Sequence, residues 1–399
     1  MSLTHDFETI VETVLPVDPS FRRIDQAAID SCVSEVRRRA EEGCKEAFLL
    51  AAMRLLALPN NGHTRLIPND AISVLPLRFV SVGSAVHLIG AAPNTTAPKG
   101  ELIAVNGAPV RHIEAAAEKF LAGTWQRKRV IGALLFAWPY ALAQLGFPSK
   151  QGSTEYRIQD GKQVTDFALE NGQMVPASTL YPRNEHGRAD PDWEPQRFVE
   201  LAEWPGVGLS MGLPSFFDPT ETALPQAVAE ASQRVRASAD TALLIDLGGN
   251  TGGDFLKTLP LIDAITEDAS RQVGVLVDKF TFSAAIVFVA ILKHRLGPRL
   301  KLIGEEMGDG LVFHAEGGLL NLPTSGAVVR YATAFHDWES GHGDDTTPPE
   351  IAKQMVAAGA LKLDWEWTAL PMSKDERFDF HQRVLKSLNG QRSPNHLYD

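Results

Sequence analysis

Two stretches hold the residue types best suited to chemistry: Ala242-Leu-Leu-Ile-Asp-Leu-Gly-Gly-Asn-Thr-Gly-Gly253 and Val275-Leu-Val-Asp-Lys-Phe-Thr-Phe-Ser-Ala-Ala285. Each reads as a buried strand that stops abruptly. The first stops in glycines, whose bare backbone lets a substrate oxygen approach the N–H groups. The second stops in Ser283, at the mouth of an apolar helical run, where the helix dipole favours developing negative charge. Side by side in a parallel sheet, two such strand ends would make an acyl-transfer site. Plainer roles compete for the same residues. Glycines also suit any tight strand-to-helix turn, and a serine at a helix start is more commonly an N-cap. A dinucleotide fingerprint is excluded, because Gly-x-Gly-x-x-Gly spacing is absent.

The elements that must position these residues follow from periodicity. Apolar positions at helical spacing over residues 24–58 predict two helices joined near Gly43. Short β-prone runs follow, and Lys99-Gly-Glu-Leu-Ile-Ala-Val-Asn-Gly-Ala-Pro-Val110 reads as strand, Asn-Gly turn, strand. Residues 125–146 read as largely helical and 153–185 as strands. From Phe198 the pattern becomes strand, helix, strand, with Leu243–Leu247 and Val273–Val277 lacking a polar face, as parallel strands buried on both sides do. The expected organisation is a helical region at 1–60, a mixed α/β region at 61–195 and an α/β core at 196–399. The boundary is set near the Pro-, Gly- and charge-rich segment 184–195.

Bulk properties narrow the function classes. The chain has 399 residues, 44% hydrophobic and 22% charged, which is ordinary for a globular protein of more than one substructure. A formal charge of −11 argues against nucleic acid and against an anionic membrane surface. Cys32 and Cys44 are too few for a disulfide framework and lack metal-type spacing. His336, Asp337, His342 and Asp344 are too irregularly spaced to argue for a metal, and no motif calls for a cofactor. No run reaches the roughly 20 apolar residues of a membrane span. The first residues lack the basic and apolar regions of a secretory signal, so a cytoplasmic location is expected.

Taken in order, five segments resemble the tail-specific (C-terminal processing) serine proteases. Asp246-Leu-Gly-Gly-Asn-Thr-Gly-Gly253 resembles their Asp-Leu-Arg-x-Asn-x-Gly-Gly strand end, and Thr281-Phe-Ser-Ala-Ala285 their Thr-Ala-Ser-Ala-Ser turn. Leu302-Ile-Gly-Glu305 resembles the Gly-Glu-Pro-Thr strand end that follows. Lys99 to Val110 is similar to the family's PDZ-like hairpin, and Asn60-Asn-Gly-His-Thr-Arg-Leu66 to its Asp-x-His-Thr element. The match spans roughly residues 55–350. It implies a crotonase-like (ClpP-like) α/β core, a reduced PDZ-like hairpin and a peptide or protein substrate. It also implies Ser283 as nucleophile, with an oxyanion hole made by the N–H groups of Ala284 and of Gly253 or Gly252. Self-assembly into a homo-oligomer is compatible with it.

One departure decides which branch is resembled. Well-known members carry a general-base lysine after the Gly-Glu element, but Gly304-Glu-Glu-Met-Gly-Asp-Gly310 has none. The branch similar to the tricorn protease core uses a histidine backed by a glutamate. That branch points to His63 as base and to Glu339, ahead of Thr347-Pro-Pro-Glu350, as the orienting carboxylate, with Glu305 and Asp309 as rivals. A serine hydroxyl is inert until a base takes its proton, and a carboxylate then fixes the imidazole tautomer. Against these stand a surface-turn role for His63 and solvent exposure for Glu339. The missing lysine, and Asn61 where aspartate is usual, leave a second class open: a non-catalytic binder of an apolar ligand or protein partner, as in interphotoreceptor retinoid-binding protein modules.

Overall fold

The apolar runs that end at Asp246 and Val277 are adjacent parallel strands in the computed structural model of the chain. The structure describes residues 2–181, 198–238, 242–342, 347–368 and 372–390. They form two compact units. The first holds the described residues up to 181 together with 313–335, and the second holds 198–312 and 336–390. The segment 184–195 expected to mark a boundary lies outside the described residues. Among those residues, no helix is long and apolar enough to cross a membrane.

The first unit opens with helices Leu3–Thr13, Gln26–Glu42 and Lys45–Ala57. The first of these had no counterpart in the periodicity reading. Helix Gln26–Glu42 buries Ile29, Cys32, Val36 and Ala40, one stripe at helical spacing, and ends at Gly43 with φ 74°. A six-strand antiparallel sheet follows, five of its strands in the order Leu77–Val82, Ala85–Ala91, Gly100–Val105, Ser153–Asp160, Gln163–Glu170. Its central strand turns back at Asn106 and Gly107, both at positive φ, onto the short strand Ala108–Pro109, as the Asn-Gly signal predicts. Helix Val110–Ala117 comes next. A separate three-strand sheet pairs Arg65–Ile67 with Val328–Tyr331, and the latter with Gly318–Asn321. That pairing ties residues 313–335 to the first unit.

The second unit is built on six strands in the order Glu200–Trp204, Gly208–Gly212, Ala242–Asp246, Val273–Val277, Leu300–Gly304, Trp365–Glu366. The first pair is antiparallel and every other pair is parallel. Gly208–Gly212, Ala242–Asp246 and Val273–Val277 are buried at every position. Helices Ala223–Ala237, Leu259–Thr266 and Ala284–Leu296 make the crossovers. Helix Lys374–Leu388 packs Phe380, Val384 and Leu385 against Ala242, Leu244, Leu276 and Ile303. The mixed α/β class is thus what the chain adopts. The register sets Gly212 beside Asp246 and Val277 beside Gly304, so the loops that follow leave one edge of the sheet, where α/β folds gather their sites.

Candidate active site

Ser283 sits between strand Val273–Val277 and helix Ala284–Leu296, half-buried, with φ 55° and ψ −128°. An L-residue other than glycine seldom occupies that region, at a cost on the order of 1–3 kcal/mol, and functional turns are where such strain collects. The plain N-cap role does not describe it. Its side chain makes no capping hydrogen bond to the helix it precedes.

The glycine turn lies directly against this serine. Phe282 N–H donates to Asn250 O at 3.0 Å, and Phe216 pairs with Gly253 as an isolated parallel bridge. Gly252 N–H donates to Asn250 Oδ1 at 2.8 Å, while Asn250 Nδ2 donates to Leu213 O at 2.8 Å. Of the two glycines weighed for the oxyanion hole, Gly252 therefore has its donor engaged. Gly253 is exposed, and Ala284 is the first helical residue, with its N–H among the donors a helix leaves without an internal partner.

Behind the two turns is a buried group of charges. Asp278, at the foot of the serine turn, accepts N–H bonds from Gly249 (2.9 Å), Phe280 (2.9 Å) and Thr281 (2.9 Å). Its carboxyl is pushed up to about 6, chiefly by burial. Bonds from Gly249 and Thr281 oppose the shift, and the charges of Asp246 and Glu305 add to it. Glu305 lies 2.7 Å from Lys279 Nζ, both side chains largely buried. That ion pair occupies one rival for the orienting acid. Asp309, the other, is half-buried and accepts the N–H of Gly310 at 2.9 Å.

Glu339 is exposed in the turn after strand Ala334–Asp337. The turn is anchored by Trp338, 2% exposed, which stacks on His336 at 5.3 Å and meets Phe255 edge-on at 5.9 Å. Glu339 thus belongs to the same unit as Ser283, beside the segment that follows Gly253. Asp344, part of the irregular His/Asp group, lies outside the described residues.

His63 belongs to the first unit. It is 1% exposed and stacks on Phe313 with centroids 5.2 Å apart, so it is not the surface-turn histidine that its neighbours suggested. Its turn is held from beneath. Asn61 Nδ2 donates to Thr64 Oγ1 at 2.9 Å, and Thr64 Oγ1 donates to Asp18 Oδ2 at 2.6 Å. Asp18 also accepts N–H bonds from Ser20 and Ala332. Asn61, where the resembled family has aspartate, fits this chain of bonds, because Thr64 commits its proton to Asp18 and needs a donor on its other side.

A hydrogen-bonded Ser–His–Asp set that the sequence reading did not find lies in the second unit. His381 Nδ1 is 3.3 Å from Ser210 Oγ, and Nε2 is 3.2 Å from Asp246 Oδ2. Ser210 is in mid-strand and 2% exposed, with no access for an acyl group. This set fastens helix Lys374–Leu388 to the sheet.

No family model matches the chain, and no curated protein matches it. Among solved structures, mature CPAF is similar over 98% of this chain and 98% of its own, at 13% identity and a TM-score of 0.54. The chain thus has a fold similar to that of mature CPAF. The photosystem II D1 C-terminal processing protease is similar over 92% of this chain and 93% of its own, at 16% identity and a TM-score of 0.39. Tricorn protease is similar over 97% of this chain and 37% of its own, at 11% identity and a TM-score of 0.38. The likeness to CPAF concerns the fold alone.

Proposed function

We propose that the chain is a serine-type peptidase acting on a peptide or protein substrate. The observation that carries the reading is Ser283: a strained serine, free of capping duty, at the end of a buried parallel strand and pressed against a glycine turn. In the proposed reaction Ser283 Oγ attacks the acyl carbon. The N–H groups of Ala284 and Gly253 receive the developing oxyanion, each worth roughly 3–4 kcal/mol of the barrier. His63 takes the serine proton and returns it to the leaving amine. Glu339 orients the imidazole and stabilises its charged form. Glu305 is a weaker candidate for that role, since it already pairs with Lys279. An extended substrate backbone would add to the glycine strand end as a further strand.

The test is covalent labelling of the full chain with a fluorophosphonate, located by peptide mass mapping. An adduct on Ser283 that is lost in Ser283→Ala and slowed at least ~100-fold in His63→Ala is expected. A folded wild-type chain that stays unlabelled, beside a hydrolase that reacts, would favour the non-catalytic binder. Labelling unchanged by His63→Ala would remove His63 from the mechanism and leave Ser283 in it.

A further inference from the structure

We propose that Asp278 is a positioning residue of this site, its carboxylate cross-linking the glycine turn to the serine turn so that the Gly253 and Ala284 donors keep a common register. This rests on the reading of Ser283 as nucleophile. Asp278 receives Gly249 N–H from one turn and the N–H groups of Phe280 and Thr281 from the other. Thr281 Oγ1 continues the link by donating to Leu247 O at 3.1 Å. Gly248 passes between two carboxylates. A Cβ there would lie 3.0 Å from Asp246 Oδ1 and 3.4 Å from Asp278 Oδ2. Oδ1 alone accepts from both turns, Gly249 N–H included at 3.1 Å, so an amide that keeps this oxygen loses only the Oδ2 acceptor 2.9 Å from Gly249 N. Asparagine has one acceptor oxygen, so its NH2 would face an N–H donor on one of the two turns.

The ionised form is the one this arrangement needs, because every group bonded to the carboxylate is a donor. Protonation places an O–H among them and removes an acceptor. The titratable and charged groups around Asp278 are Asp246 at the end of its strand, Glu305 after strand Leu300–Gly304, Lys279 in the serine turn, and His381, which reaches Asp246 from helix Lys374–Leu388. With the carboxyl displaced to about 6, the site loosens as Asp278 takes its proton, in addition to the protonation of the proposed base. The acid limb of the serine's reactivity should therefore carry two protons.

The experiment follows fluorophosphonate labelling of wild type, Asp278→Asn and Ser283→Ala from pH 4.5 to pH 8.5, with thermal melting at each pH. Asp278→Asn should remain folded, label roughly 10–100-fold more slowly near pH 8, and show an acid limb of one proton where wild type shows two. Wild-type rate with the wild-type limb in Asp278→Asn overturns the proposal. So does a slower rate with an unchanged limb, which would mark a packing role. Should Asp278→Asn fail to fold, the wild-type limb decides: two protons support the proposal and one overturns it. No labelling of wild type at all is a different failure, that of Ser283 as nucleophile, and it takes this proposal with it.

Discussion

Gly252 meets Ser283 with no space for a side chain between them. A Cβ on the glycine would lie 2.9 Å from Ser283 Cβ, 3.0 Å from Phe282 O and 3.1 Å from Ala284 N, and the glycine holds φ at 103°. Gly252→Ala therefore combines a backbone conflict with a push on the serine and on the proposed oxyanion donor. A loss of about 2–3 kcal/mol in urea denaturation is expected, together with serine labelling slowed at least ~10-fold in the fraction that remains folded. Labelling at the wild-type rate would show that this close approach has no bearing on the serine.

Asn61 offers a second test, in the first unit. It donates to Thr64 Oγ1, whose own proton goes to Asp18, 2% exposed. Asn61→Asp restores the residue usual in the resembled family, yet here it sets a second carboxylate beside a hydroxyl that has no proton to give it. A cost of about 2–4 kcal/mol near pH 8 is expected. Burial and the nearby Asp18 charge raise the folded pKa of the new carboxyl, so its penalty belongs to the ionised form and shrinks as pH falls. Denaturation at pH 8 and pH 5 checks this; an equal cost at both would rule out the electrostatic account.

Asp278 makes a stability prediction independent of activity. Its folded carboxyl titrates at about 6, above the ordinary aspartate range near 4. A raised pKa means that the folded state holds its proton longer than the unfolded chain does. The associated stability is complete below the unfolded pKa and is lost as pH rises through the folded one. From pH 5 to pH 8, wild type should thus lose roughly 1–1.5 kcal/mol relative to Asp278→Asn. Paired denaturation curves at the two pH values measure the difference. A difference that stays flat or grows with pH is incompatible with the raised carboxyl.

What the sequence made legible was local. Strand Ala242–Asp246 and its neighbour Val273–Val277 declared themselves by having no polar face, and Ser283 by the turn it closes. Helix Leu3–Thr13 escaped because its buried face is short and includes Asp6, whose carboxylate accepts N–H bonds from Thr324 and Ser325. The bond from His381 to Asp246 spans 135 residues, and no periodicity points from a polar helix to a strand end. Lys279 carries no local signal, because its ammonium meets Glu305 from the opposite turn, 26 positions away in the chain. Each omission is a long-range pairing of polar groups, which depends on topology rather than on local pattern.

The Lys279–Glu305 pair allows the last of these contacts to be weighed. The side chains are 5% and 13% exposed and lie 2.7 Å apart, between the loop that carries Ser283 and the one after strand Leu300–Gly304. Coulomb attraction is strong at that distance, yet both charges have left most of their water behind, and the desolvation cost offsets much of the gain. Removing one partner strips the other of its counter-charge without returning it to solvent. Lys279→Met and Glu305→Gln should therefore each cost about 3–5 kcal/mol, whereas the double substitution should cost clearly less than their sum. A full urea cycle yields the coupling energy, expected at ~2 kcal/mol or more. Additive losses would mean that the two groups act separately, and that other contacts hold the Glu305 loop against the serine turn.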